Sequence, residues 1–191
     1  MKLEKLDYNQ VKNIYETHLV NDFIEEERKP LVVINILMQM GIYHCYGLFE
    51  GEILLAYAFF CEAKNKNQRA ILLDYLVVLN GSRNQGIGSK LISIIKETLV
   101  EYDMVMAEVE LTEEYDSEQD FEIRKKRQAF YLRNGWKKTD VVVDLFGVKL
   151  QIFILPTKEE VDESYLKSDL DEIYDSMFYD QKMRKHVKIM K

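Results

Sequence analysis

The run at 71–79, ILLDYLVVL, carries one charged residue in nine. A continuous apolar run of that length reads as a strand buried on both faces. Such a strand needs a layer above it and another below, so the chain must also supply helices to cover a sheet. The residues after it meet that demand. A polar stretch leads to Gly86-Ile87-Gly88, and Leu91, Ile92, Ile95 and Leu99 then fall on one side of a helix expected over 86–102. MVMAEVEL at 104–111 is the next strand. Strand, helix and strand in that order imply a right-handed crossover and a parallel pair.

The rest of the chain fits around this core. Val11, Ile14, Tyr15 and Leu19 space a helix over 8–19, and Pro30 opens a second over 31–40 that Gly41 stops. YHCYGLF and ILLAYAFF form a hairpin about Glu50-Gly51-Glu52. AKNKNQRA at 63–70 is a polar loop and TEEYDSEQDFE at 112–122 an acidic one. A helix over 123–133 ends at Asn134-Gly135, and TDVVVDLF pairs with VKLQIFIL around Gly147. The expected class is α/β (α+β in some schemes), a mixed central sheet of about six to seven strands flanked by helices. Past Pro156 the sequence turns strongly charged, with Leu166, Leu170, Ile173 and Met177 on one helix face. The expected division is a domain over 1–155 and a charged helical extension over 156–191. The extension's stripe docks on the sheet or meets a second copy in a homodimer.

Length and charge narrow the function. At 191 residues the chain is about one domain, and 47% hydrophobic with 31% charged residues suits a soluble globular core. A net charge of −7 argues against nucleic acid as a partner. It would suit a cationic partner, but mild acidity is the ordinary state of soluble cytosolic proteins, and that reading comes first. Cys45 and Cys61 lie in apolar stretches without CxxC spacing, as buried inert thiols do. His18, His44 and His186 are scattered, so no metal is expected. MKLEKLDYNQ lacks the apolar core of a signal peptide and no 18-residue apolar run occurs, so the expectation is cytoplasmic, with no membrane partner.

Two glycines in a helix's first turn are costly, since glycine weakens a helix by about 1 kcal/mol against alanine. One reading is a tight packing turn. The other is a backbone bared so that an anion can sit against its N–H groups. A Walker A loop needs Gly-Lys-Ser/Thr, and here Ser89-Lys90 follow Gly88 in the wrong order; a GxGxxG fingerprint fails at Leu91. Arg83-Asn84-Gln85-Gly86-Ile87-Gly88 fits instead the pattern Arg/Gln-x-x-Gly-x-Gly/Ala. Phe130-Tyr131-Leu132-Arg133-Asn134-Gly135-Trp136 looks like an FYxxxGF segment at a helix end. Together, over roughly residues 8–155, these resemble the GCN5-related N-acetyltransferase (GNAT) superfamily. Asn80 and Asn84 stand where that family often has Pro and Gly, and Arg124 and Arg127 where many members have Asn and Ala.

The resemblance implies a splayed central parallel pair of strands and acetyl-CoA as acetyl donor. Arg83, Asn84, Gln85, Gly86, Ile87, Gly88 and Ser89 would hold its diphosphate. The backbone of Leu76, Val77 and Val78 would hold the pantetheine arm, with Val78 N–H as oxyanion donor. Tyr131 matches the family's general acid; read without it, Tyr131 packs the helix beneath the sheet. For the base, Glu108 aligns with the family's LEV segment. Asp74 is its rival, because apolar neighbours raise a carboxyl's hold on its proton; Glu110 shares the face of Glu108. The acceptor amine would meet the first helices and NDFIEEERKP, where Glu26 and Glu27, with Glu110, would draw a cation; solvated helix ends explain the same residues. The expected function is N-acetylation of a primary amine of a small molecule or peptide by direct transfer in a ternary complex. The alternative is a non-catalytic GNAT-fold protein that senses CoA or an amine.

Overall fold

The computed structural model describes residues 1–63, 69–178 and 181–190. The polar loop expected over 63–70 falls, at 64–68, outside the described residues. The chain divides into two compact units, one of residues 1–62 and 74–95, the other of residues 63–73 and 96–191.

In the first unit, β1 (Lys2–Lys5) leads to α1 (Tyr8–Ile14). Asp7 and Gln10 cap that helix reciprocally, each backbone N–H donating to the other's side chain at 2.9 Å. The expected helix over 8–19 is α-helical only to Ile14; Tyr15–Leu19 is a π-helical turn, followed by the short α2 (Val20–Asp22). Pro30 sits just before α3 (Leu31–Gln39), and Gly41, at φ +73°, ends it. β2 (Tyr43–Glu50) and β3 (Ile53–Glu62) form the expected hairpin, Glu50 opposite Ile53, with Gly51 at φ +60°. β1 pairs antiparallel with β2. From Leu55 to Cys61, β3 is buried at every residue.

β4 (Ala70–Val78) passes from the second unit into the first. α4 (Ile87–Thr98) follows, four residues shorter than expected at its end, with Leu91, Ile92 and Ile95 buried.

In the second unit, β4 pairs parallel with β5 (Met104–Glu110) over four residues, Ala70 opposite Met104 through Leu73 opposite Ala107. α5 runs Glu118–Arg133, beginning five residues before the expected start at 123. Ser117 is the reason: its side chain accepts the Asp120 N–H, and Glu118 and Asp120 favour a helix N-terminus. Half of the expected acidic loop is therefore helix. β6 (Lys137–Leu145) and β7 (Val148–Pro156) pair around Phe146-Gly147, both at positive φ. α6 (Leu166–Met177), α7 (Gln181–Arg184) and β8 (Val187–Met190) complete the chain, and β8 pairs antiparallel with β6.

The strand order is β1-β2-β3-β4-β5-β7-β6-β8, a mixed sheet with helices, as expected in class. Among the described residues the sheet has eight strands rather than six or seven. The two extra ones are the four-residue edge strands β1 and β8, too short for their alternation to stand out. β8 also makes the C-terminal extension more than helical. The stripe Leu166, Leu170, Ile173 and Met177 is buried within the chain.

Candidate functional site

The first unit carries the glycine turn. Leu79 N–H donates to Leu55 O on β3 at 2.9 Å. Backbone groups alternate along a strand, so the N–H groups of Val78 and Leu76 are turned away from β3. Val78 O is met from that side by Arg83 Nε at 2.9 Å. Asn80–Ser82 make one 3₁₀ turn, and Ser82 N–H donates to Leu79 O at 2.8 Å. Asn84 (φ +62°) and Gly86 (φ +77°) are then left-handed. Left-handed residues interleaved in a turn swing successive N–H groups to one side, and the helix N-terminus beyond adds about half a positive charge. A Cβ on Gly86 would meet nothing within 4 Å. Glycine is required there by the backbone angle, not by crowding. Residues 83–86 are exposed, whereas Ile87 and Val77 bury their side chains, leaving only their backbone to offer. Gly88 and Ser89 follow in the helix's first turn, half-buried. Gln85 folds back onto Gly81 O at 3.0 Å. Arg83, expected to lend its charge to the turn, also reaches Asp22 at 3.5 Å, and Asp22 accepts the Tyr57 hydroxyl at 3.1 Å.

Asp74 is the first unit's candidate base. Its setting is not the apolar one the sequence implied. Lys29 Nζ lies 3.4 Å from its carboxylate, with both side chains about nine-tenths buried, and the Tyr43 hydroxyl donates to it. Burial, with Asp74 second, pushes the Tyr43 phenol well up, so that hydroxyl keeps its proton and donates. Tyr75, next along the strand, pins the loop before Pro30: its hydroxyl donates to Glu27 O at 2.9 Å and accepts from Lys29 N–H at 2.7 Å. Glu25–Glu27 form a single 3₁₀ turn whose side chains are exposed. Lys29, Tyr43 and Tyr75 escaped the sequence reading. The available signal was that a charge inside an apolar strand needs a partner, and Arg28-Lys29 close the acidic run. Burial raises both thiols, Cys61 to about 12, so neither cysteine is a ready nucleophile.

The second unit carries Tyr131, Glu108 and Glu110. Tyr131 is buried among Trp136, Phe130 and Phe153, its ring centroid 5.0, 5.6 and 6.1 Å from theirs. That burial pushes its phenol up to about 12. Glu108 accepts the hydroxyl of Tyr174 on α6 at 2.5 Å. Glu110 forms an ion pair with Arg127, and Gln128 Nε2 donates to its carbonyl at 2.9 Å. Arg124 meets Asp120 at 2.9 Å and Leu111 O at 3.1 Å. Arg124 and Arg127 of α5 thus both find partners within this unit. Tyr174 and Arg127 were not foreseen as partners, since nothing in a sequence pairs residues so far apart.

Among the described residues, no group of three His, Cys, Asp or Glu could hold a metal ion. Nor is any helix among them long and apolar enough to cross a membrane.

Neither a protein-family model nor a curated protein matches the chain. Solved structures do. One, from Bacteroides thetaiotaomicron and described as a GNAT-family acetyltransferase, aligns at a TM-score of 0.69 and 15% identity, over 88% of this chain and 93% of its own. A variant of spermidine N-acetyltransferase from Vibrio cholerae aligns at 0.63 and 11%, over 85% and 97%. A Bacillus subtilis acetyltransferase in complex with CoA aligns at 0.54 and 14%, over 81% and 97%. The strand order, the four-residue parallel ladder and these alignments agree, and the chain has the GNAT fold.

Proposed function

We propose that the chain is an acetyl-CoA-dependent N-acetyltransferase that moves an acetyl group directly to a primary amine of a small molecule or peptide in a ternary complex. One observation carries the reading: the exposed turn in which Asn84 and Gly86 are left-handed at the N-terminus of α4. That backbone suits a diphosphate. Acetyl-CoA, when bound, supplies an acyl group already activated as a thioester. The N–H groups of the Arg83–Ser89 turn receive its diphosphate. Leu76 and Val78, whose N–H groups are turned away from β3, would hold the pantetheine arm, with Val77 between them, and Val78 N–H would be the donor for a developing oxyanion. In the reaction, where the N–C bond would form and the thioester C–S bond break, Glu108 would be the base for the amine's proton. Tyr131 meets the departing sulfur with its hydroxyl.

The acceptor in this reading is cationic. Glu26 and Glu27 lie exposed on the loop before Pro30, and the chain's net charge is −7. Glu110 already holds Arg127 in an ion pair, which an acceptor ammonium there would share or displace. One of the aligned proteins is named for spermidine, a polycation. The reaction belongs where acetyl-CoA is at hand, the cytoplasm.

A second reading, a CoA- or amine-sensing protein without turnover, draws on Asp74, whose carboxylate is already committed to Lys29 and Tyr43. Two measurements separate the readings. Titration with acetyl-CoA by calorimetry should give heat and a thermal shift for the enzyme and for a CoA sensor; neither at millimolar ligand would refute both and leave only an amine sensor. Release of free thiol across a panel of primary amines is expected of the enzyme alone.

A further inference from the structure

We propose that Tyr174, on the C-terminal helix α6, is a positioning residue for Glu108, its phenol orienting the carboxylate that takes the acceptor's proton. The inference rests on the acetyltransferase reading. Its ground is geometric. Tyr174 Oη donates to Glu108 Oε1 at 2.5 Å, at the short end of the range for a hydroxyl on an ionised carboxylate. A base must be present in that ionised form, and a glutamate with three rotatable bonds must be held where the proton is.

The phenol is itself fixed. Tyr174 is 1% exposed, and Leu170, Ile173 and Met177 bury the same helix on either side of it. Arg184 closes a clasp over it, with Nε 2.6 Å from Asp175 and Nη2 2.6 Å from Asp171, both on α6. Its guanidinium carbon lies 5.9 Å from the centre of the Tyr174 ring. Arg184 Nη1 also donates to Val187 O on β8 at 3.1 Å, and β8 is paired to β6. The C-terminal segment therefore reaches the candidate base from a helix locked to the sheet. A segment that only covered an apolar face would need no hydroxyl at that point, because phenylalanine fills the same space.

The test uses the full chain, acetyl-CoA, and as acceptor spermidine or whichever amine of the panel the wild type acetylates. Thiol release is followed for wild type, Tyr174→Phe, Glu108→Gln and the double variant, and thermal melting confirms that each folds. Tyr174→Phe should lower kcat about tenfold while the KM for acetyl-CoA stays within about twofold, since positioning acts on the reacting geometry. In the Glu108→Gln background the same change should alter kcat by less than about twofold, because Tyr174 acts through that carboxylate. A Tyr174→Phe protein with undiminished kcat, or losses that multiply in the double variant, overturns the inference and leaves the acetyltransferase reading standing. A wild type that releases no thiol overturns both.

Discussion

Asp74 on β4 and Glu108 on β5 are both strand carboxylates held by a tyrosine, and they differ in what the fold has done with their charge. Asp74 receives the Tyr43 hydroxyl from the first-unit hairpin and lies 3.4 Å from the Lys29 ammonium, both ends nearly out of water. Glu108 accepts a hydrogen bond from a phenol on a helix 66 residues away in sequence. An ammonium at close range neutralises a carboxylate and makes the pair part of the structure. A hydroxyl donor orients a carboxylate without cancelling its charge. The pairing at Asp74 reads as architecture, that at Glu108 as preparation. The order of candidates for the base follows from this contrast.

The sharpest way to break the contrast is to remove one ion of the Asp74 pair. Lys29→Met should cost about 3 kcal/mol of stability, because it leaves a nearly buried carboxylate without its cation. Adding Asp74→Asn should recover most of that loss. Urea unfolding measures both. A Lys29→Met protein destabilised by less than about 0.5 kcal/mol would show that Asp74 does not depend on its partner, and would return it to candidacy as the base.

Next in size is Glu108→Gln. The side chain keeps its shape and can still accept from Tyr174, so stability should move by under about 1 kcal/mol. Turnover should fall about a hundredfold, the lower end of what a general base contributes. The comparison reverses if Asp74→Asn costs more turnover than Glu108→Gln in variants of equal stability.

These contrasts mark what a sequence can and cannot carry. The buried run at 71–79, the hairpin about Gly51 and the pair about Gly147 were legible because each rests on local alternation and local turn chemistry. The glycine turn was legible as a strand end, glycines and a helix start in succession, but Gly86, read as part of the helix's first turn, stands just before α4 in the left-handed region. β1 and β8 were not, being four-residue edges whose pairing partners lie far along the chain. The start of α5 was local and still missed; Ser117 is an N-cap that the acidic run around it disguised. The surroundings of the carboxylates were legible only in part: a charge inside an apolar strand asks for a partner, but the sequence does not say which one. Asp74 looked apolar because its strand neighbours are, but side chains alternate across the sheet and its true neighbours came from residues 29 and 43.

Gly86→Ala is a smaller effect, and one independent of either carboxylate. Forcing a Cβ onto a backbone at φ +77° costs about 1–2 kcal/mol. Acetyl-CoA affinity should fall about tenfold with that distortion, while the ratio of turnover between Glu108→Gln and its parent stays the same. Gly88, which has helical neighbours and no positive φ, should accept alanine without loss of stability. Calorimetric titration of the two variants, beside melting curves, reads both outcomes. Equal destabilisation at 86 and 88 would mean that the turn is not the left-handed one described.

The smallest effect expected is that of Tyr131→Phe. A phenol near its ordinary value of about 10 could protonate a departing thiolate with modest loss, but burial pushes Tyr131 up to about 12. Against a thiol of about 8.5, full transfer would be uphill by roughly three and a half units, so in the proposed reaction the hydroxyl would act as a hydrogen-bond donor. Its removal should lower kcat by less than about tenfold and leave acetyl-CoA affinity unchanged. The sign of the pH effect follows from the same shift. The folded phenol stays protonated until about 12 while the unfolded one ionises near 10. Its contribution to stability is therefore flat below pH 10 and falls between about 10 and 12. Activity should show no alkaline loss from this group below about pH 11, and Tyr131→Phe should leave the shape of the profile unaltered there. An alkaline limb near pH 9–10 that disappears in Tyr131→Phe would show the phenol to be a freer acid than its aromatic cage permits.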